Sequence, residues 1–262
     1  MKGSGRRATR RAGLIAALSG LAMWTWMSLS VGAMREATAN PGSKPSGKVA
    51  TSAMATFTVT NLNDSGAGSL RQAITDANAM MGADTIDFQA GLTGTITLTT
   101  GQLPTITQDL TITGPGANVL TVSGNNASRV FEIASGVTVM ISDLTISNGS
   151  VSGLDNGGGI RNSGALTLTN STLSGNSTSD VSVGGGIFND SFGTLTIQNS
   201  TLSGNSAGFD GGGIFNLGTL TIQNSTLSNN SALDGGGISN FNLVTIKNSI
   251  VANSTSGGDC AG

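Results

Sequence analysis

Histidine and tyrosine are both absent from this 262-residue chain, and its one cysteine, Cys260, has no intrachain partner. The missing histidine removes the side chain most often used as a general base or metal ligand near neutral pH. A lone cysteine means that disulfides cannot brace the fold. Aromatic residues make up 4% of the chain and charged residues 10%. A disordered linker would carry more charge and fewer aliphatic residues, whereas here Leu, Ile and Val recur throughout, so a core is available. What the chain has in excess is glycine, at 40 residues. Its length suits one domain or an elongated stack of repeats.

Lys2, Arg6, Arg7, Arg10 and Arg11 precede an uncharged stretch from Ala12 to Met34. Val31-Gly32-Ala33 and Ala37-Thr38-Ala39 each fit a small-x-small cleavage site. Residues 1–39 are therefore expected to form a signal peptide or N-terminal anchor, which implies secretion or display on a bacterial cell surface or outer membrane. Membrane contact is expected only through that segment. Beyond residue 39, six basic residues face thirteen acidic ones, a net charge of −7. That sign argues against nucleic acid or anionic lipid as a partner. Residues 40–56 read as a flexible Pro/Gly/Ser linker.

The decisive pattern is self-similarity. Gly-Gly-Gly-Ile-x-Asn occurs at 157–162, 184–189, 211–216 and 235–240, at spacings of 27, 27 and 24 residues. Between the copies run segments such as Leu-Thr-Ile-Gln-Asn-Ser-Thr-Leu-Ser-Gly-Asn at 195–205, with a degenerate copy at 244–253. Apolar and polar residues alternate, which is the period of half-buried strands. Stacking the copies predicts four inward columns: Leu166/Leu195/Leu220/Val244, Leu168/Ile197/Ile222/Ile246, Leu173/Leu202/Leu227/Val251 and Ile160/Ile187/Ile214/Ile238. The expected fold is all-β, a right-handed parallel β-helix of three-strand coils, spanning 86–262 with regular coils over 137–262 and incomplete at its C-terminus. Asn170, Asn199, Asn224 and Asn248 stand where one strand bends into the next, with Asp143 in their place one coil earlier. Asn tolerates left-handed backbone, and its amide is able to join a ladder between coils.

An open coil end exposes core and unpaired strand edge, so residues 57–85 are expected to cap it. Phe57–Thr60 reads as a strand. Ser69-Leu70-Arg71-Gln72 reads as a capping box in which Gln72 reaches back, with Leu70, Ala73, Ile74 and Ala77 as one apolar stripe and Gly82 as a stop.

The repeats and Gly68-Ser69-Leu70-Arg71-Gln72-Ala73 resemble the exported right-handed β-helix repeat proteins. These are pectin-lyase-like in architecture and include the chlamydial polymorphic outer-membrane proteins. That family carries Gly-Gly-Ala-Ile and Phe-x-x-Asn repeats and opens on Cys-Ser-Leu-Arg-Glu-Ala. Here Gly-Gly-Gly-Ile and Leu-Ser-Gly-Asn stand in their places, and the Cys and Glu are replaced. The resemblance covers residues 57–262 and implies export and an adhesive role.

Parallel β-helices also host polysaccharide lyases and hydrolases, so a carbohydrate-active enzyme is the alternative. A lyase needs an Arg or Lys with carboxylates holding Ca²⁺, and a hydrolase needs clustered carboxylates. Arg71, Arg129, Arg161 and Lys247 are scattered along the chain. Asp155, Asp210 and Asp234 recur just before the triple glycines, with Asp180 near, and form a candidate Ca²⁺ site. Solvated turn residues would show the same pattern, as would turn Asn-Ser-Thr sequons at 170, 199 and 224. Outward Thr167, Thr196, Thr221 and Thr245 align, which suits either a binding face or an ordinary exposed strand face. The sequence expectation is a monomeric, non-catalytic protein with an adhesive or structural role, without a required cofactor, facing a carbohydrate or a host or cell-surface ligand.

Overall fold

The computed structural model describes residues 54–262. The expected signal or anchor over 1–39, and residues 40–53 of the linker, lie outside the described residues. Within them the chain forms an all-parallel β-solenoid of about seven turns. Its strands are two to five residues long, too short to stand alone, so each depends on its neighbours above and below. Three main sheets run along the stack, of eight, six and seven strands. The first runs from Thr56–Val59 to Leu243–Lys247, the second from Phe131–Ile133 to Cys260–Ala261, the third from Gly94–Thr97 to Ile250–Ala252.

Register follows the repeat. Leu166 pairs with Leu195, Leu195 with Leu220 and Leu220 with Val244, and the other three predicted columns pair in the same way. A one-residue slip would turn each column outward, so the alternation itself pins the register. Nearly all these residues are fully buried in one aliphatic core. The exceptions lie at the last coil, where Ile246 is 41% exposed although it continues the column of the fully buried Ile222.

The bend asparagines have the expected backbone but not the expected bonding. Asn170, Asn199, Asn224 and Asn248 have φ between 48° and 50°, and Asp143 has φ 59°. The four asparagines are exposed, and the one amide contact among them joins Asn224 to Asn199 at 3.3 Å. The ladders form at two other asparagine sets, both buried. Asn162 donates to Asn189, Asn189 to Asn216 and Asn216 to Asn240, at 2.7–2.8 Å. Asn176 donates to Asn205 and Asn205 to Asn230, at 2.9 and 3.0 Å. Beside the bends runs a serine ladder. Ser171 N donates to Ser200 Oγ, Ser200 N to Ser225 Oγ and Ser225 N to Ser249 Oγ, each at 3.1 Å. A left-handed residue on the outside of a bend leaves its own side chain in solvent, so the inter-coil bonding falls to the residues that follow it inward.

The triple glycines answer to close approach. A Cβ at Gly212 would stand 2.3 Å from Ser231 O and 2.5 Å from Gly236 O, so no side chain fits there. Gly211 and its counterparts at 157, 184 and 235 also hold positive φ, which glycine adopts at least cost.

A helix, Leu70–Ala79, closes the N-terminal end by joining Leu70, Ala73, Ile74 and Ala77 to the core. Ser69 is its N-cap and accepts from Gln72 N at 3.2 Å. Only half of the predicted capping box forms, because the Gln72 side chain donates to Asp76 at 2.7 Å and Ser69 N bonds to Gly66 O. The helix stops at Ala79, with Met80 as C-cap, ahead of Gly82. Arg71 fastens the helix to the first coils. Its guanidinium donates to Gly101 O, Gln102 O and the Asp64 carboxylate, and Asp64 also accepts from the amides and hydroxyls of Thr99 and Thr100. Burial alone would raise the Asp64 pKa, but the bonds from Arg71, Thr100 and Thr99 outweigh it and hold the carboxyl well below its ordinary range. A carboxyl depressed in the folded state stabilises above its unfolded pKa and loses that contribution as pH falls through the folded value. Asp64→Asn is therefore expected to melt lower than wild type at pH 7 and to show a flatter loss of Tm below about pH 4. Parallel acid melts of the two proteins would contradict this linkage.

Candidate functional site

The structure separates the three predicted aspartates. Gly157 N bonds to Val183 O, Gly184 N to Asp210 O and Gly211 N to Asp234 O, so Asn156, Val183, Asp210 and Asp234 share one column. Asp155 stands one residue ahead of that column, and Val183 interrupts it. Asp210 and Asp234 are direct neighbours across a parallel bridge, while Asp180 bonds to the adjacent Ser179. Among the described residues, no group of three or more Asp, Glu or Cys side chains is placed to hold a metal ion. Of the three candidate Ca²⁺ ligands, the structure brings Asp210 and Asp234 together and leaves Asp155 apart from them.

Partial burial, and then repulsion from Asp234, push the Asp210 carboxyl above its ordinary pKa. For a carboxyl raised in the folded state the stability contribution is complete below the unfolded pKa and is lost as pH rises through the folded value. At neutral pH the charge is a net cost. Asp210→Asn is expected to raise Tm at pH 7 by about 1–2 °C and to leave it unchanged at pH 3. A lower Tm at pH 7 would mean that the carboxylate is held by something favourable, a bound cation among the candidates.

Asp155 belongs to a different cluster, one that the scattered basic residues of the sequence did not announce. The guanidinium of Arg129 is 2% exposed. It donates to Gly157 O at 3.0 Å, Gln102 Oε1 at 2.9 Å, Asn156 O at 2.8 Å and the Asp155 carboxylate, and lies 3.5 Å from Glu132. These partners are 3 to 28 residues away in sequence, so Arg129 ties several coils together. A buried guanidinium needs such a complete set of acceptors. Arg161 sits alongside, half-exposed, with Nη1 at 3.9 Å from Glu132 and 3.8 Å from Asp155. Both carboxylates are therefore held by guanidinium groups.

The outward residues of the second sheet change character along the stack, from Glu132 and Arg161 to Phe188, Phe215 and Ser239. Phe188 and Phe215 stack at 5.8 Å, and Phe215 meets Phe241 at 5.3 Å. Phe188 and Phe215 pack with Val183 and Leu217 into a small second cluster outside the main core.

A groove of about 620 Å³ runs over five consecutive strands of the third sheet. Its floor carries the hydroxyls of Thr121, Thr145, Ser147, Ser174 and Ser203, and one wall is left-handed backbone at Asn148, Gly175, Gly204 and Asn229. The lining contains no titratable side chain. The sequence signal for it is the recurring Thr-Leu-Ser of 172–174, 201–203 and 226–228, whose Thr and Ser face outward on either side of the inward Leu.

The fold and surfaces define a class: a parallel β-solenoid, capped by a helix, with an uncharged polar groove along one sheet and a guanidinium–carboxylate cluster on another. In comparisons with known proteins, no family model and no curated sequence matches the chain. Among the described residues no helix is long and apolar enough to cross a membrane.

Proposed function

We propose that this protein is a non-catalytic, exported or cell-surface β-helix with an adhesive or structural role, related in architecture to the pectin-lyase-like repeat proteins. The basic and apolar N-terminal segment supports export. The observation that carries the non-catalytic reading is that the groove along the third sheet is lined by Thr, Ser, Asn and Gly alone. General acid–base chemistry on a polysaccharide needs a carboxyl or a basic side chain within reach of the glycosidic oxygen or of the proton α to a uronate carboxyl, and this groove offers neither.

A second reading has one specific support. Glu132 and Asp155 flank Arg161, so two carboxylates and a partly exposed cation share one place. A polysaccharide lyase or glycoside hydrolase would use such a set. Against it, both carboxylates also face the buried Arg129, so they are already engaged in the ion-pair cluster that joins the coils. The test is reducing-end release by the purified, folded protein on a polysaccharide panel, with and without Ca²⁺. Release no greater than that of a boiled control is expected. Release that disappears in Glu132→Gln or Asp155→Asn would overturn the non-catalytic reading and place the chemistry at Arg161.

A further inference from the structure

We propose that the row of loops leading into the triple glycines is a docking strip for a cationic amphipathic helix of a partner protein. The inference rests on the adhesive reading and gives it a partner class and a location.

The strip consists of what each coil leaves in solvent. Leu154, Val181, Phe209 and Leu233 stand one to a coil on four consecutive coils, and each is between 46% and 89% exposed. The loops that carry them stack on one another. Ser182 Oγ donates to Gly153 O at 3.0 Å, Phe209 N to Ser182 O at 3.1 Å and Leu233 N to Phe209 O at 2.7 Å. Single exposed apolar residues are ordinary, whereas a contiguous row of them marks an interaction surface. The main core makes no use of these four, since Ile160, Ile187, Ile214 and Ile238 already fill its column a few residues further on in each coil.

An aspartate adjoins every one of them. Asp155 follows Leu154, Asp180 precedes Val181, Asp210 follows Phe209 and Asp234 follows Leu233. Arg129 holds the first. The other three form no ion pair with any described residue. Asp210 and Asp234 are neighbours across a bridge, and their mutual repulsion already bears on the Asp210 carboxyl. The free protein thus carries two unfavourable features in one place: apolar side chains in water, and like charges with nothing to offset them. A partner whose apolar residues are flanked by Lys or Arg relieves both.

The same charges exclude other occupants. A second copy related by two-fold symmetry would set the strip against itself, and the chain beyond residue 39 carries a net charge of −7. An anionic lipid surface meets the same repulsion. Spacing then selects the conformation of the partner. Coils lie about 4.8 Å apart, so four of them make a strip of roughly 14 Å. A helix returns apolar residues to one face about every 5.4 Å and keeps step with the coils over that length. An extended peptide returns them about every 6.7 Å and falls most of a coil behind by the fourth.

The experiment is calorimetric titration of the full-length protein with three synthetic probes. The first is an amphipathic leucine–lysine peptide of about 14 residues, roughly four helical turns. The second has glutamate in place of each lysine. The third keeps the leucine–lysine composition but alternates the two, so that its apolar face forms only as a strand. The helical cationic peptide is expected to bind at least about tenfold more tightly than the alternating one, and to weaken as salt is raised, while the glutamate peptide does not bind. Phe209→Ser/Leu233→Ser is expected to weaken binding about tenfold or more. Asp180→Asn/Asp210→Asn/Asp234→Asn is expected to remove most of the salt dependence, and Thr196→Ala/Thr221→Ala on the first sheet to change nothing. Melting curves establish that the variants are folded. Leu233→Ser alone, at a side chain that is 71% exposed, repeats the test if the double variant melts early. Full retention of binding by the folded apolar variant, an unaltered salt dependence in the folded triple variant, equal binding of the alternating peptide, or no binding at all, as when another segment of this chain already covers the strip, would each overturn the proposal. So would sedimentation of the protein alone as a dimer that Leu233→Ser dissociates, because the strip would then belong to a second copy. Reducing-end release that is lost in Glu132→Gln would overturn the non-catalytic reading instead, while the titration still judges the strip.

Discussion

Ile197→Asp is expected to lower Tm by about 10–20 °C, with the loss concentrated in the coils that follow it. Ile197 is fully buried and pairs with Leu168 on one side and Ile222 on the other, inside a column that runs from Ile86 to Ile246. Removing the side chain costs about 2–5 kcal/mol, and the carboxylate that replaces it has no partner among the aliphatic neighbours. The combined effect exceeds about 5 kcal/mol, comparable to the whole stability of many domains. In a solenoid each coil leans on its neighbours, so the helix-capped coils before the substitution should outlast those after it. Ile246→Asp is the internal control. It lies in the same column but is already 41% exposed, and a cost of only about 1 kcal/mol is expected. Circular dichroism melts of the two variants measure the difference. Equal melting temperatures would show that the core does not run through this column as the register requires.

The second large effect is expected at a polar residue. Asn205 is fully buried, accepts from the backbone and side-chain amides of Asn176, and donates to Leu173 O and Asn230 Oδ1. Asn205→Ala strands up to four buried polar groups at once. Each such group costs about 1–3 kcal/mol when left unpaired, less whatever water can enter, so a loss of about 3–5 kcal/mol is expected. Asn199 differs from it by only six positions, yet its amide lies at the surface at 3.3 Å from Asn224. For Asn199→Gly the change is expected to stay within about 0.5 kcal/mol, since glycine accepts φ 50° without strain. Urea denaturation of the pair tests this. Similar losses for both would mean that the bend asparagines contribute as much as the buried ladder.

Placing these asparagines is where sequence reasoning reached its boundary. The three coils between residues 160 and 230 each carry one at three recurring positions, such as 189, 199 and 205, and all three follow alternating apolar residues. The bend set was recognisable from its position between strands and takes the left-handed backbone anticipated for it. Nothing local tells which amides face the interior. That depends on how far the chain has turned after each bend, and therefore on the path of the whole coil. The same reasoning covers Gln72, whose side chain finds Asp76 one helical turn on instead of the Ser69 backbone.

The aspartates show the same division from another side. Their recurrence before the triple glycines is plain in the sequence, but the loops leading to those glycines differ between copies. A one-residue offset leaves Asp155 outside the column of Asp210 and Asp234 and puts it against Arg129. Loop composition does not encode that offset, and the guanidinium that captures Asp155 lies 26 residues away.

What the sequence determined by itself is the solenoid: strand positions, the identity and register of all four aliphatic columns, the helix at Leu70–Ala79 and its buried stripe. These are local facts. Period-two alternation selects one face of each strand, and near-identical copies leave one register in which every copy buries its apolar face. What only the tertiary structure decided is which polar groups meet across coils. The asparagine ladders, the Arg129 cluster, the Asp210–Asp234 pair and the serines of the groove each join residues a coil or more apart. Their partners are set by the geometry of stacking, which no single repeat contains.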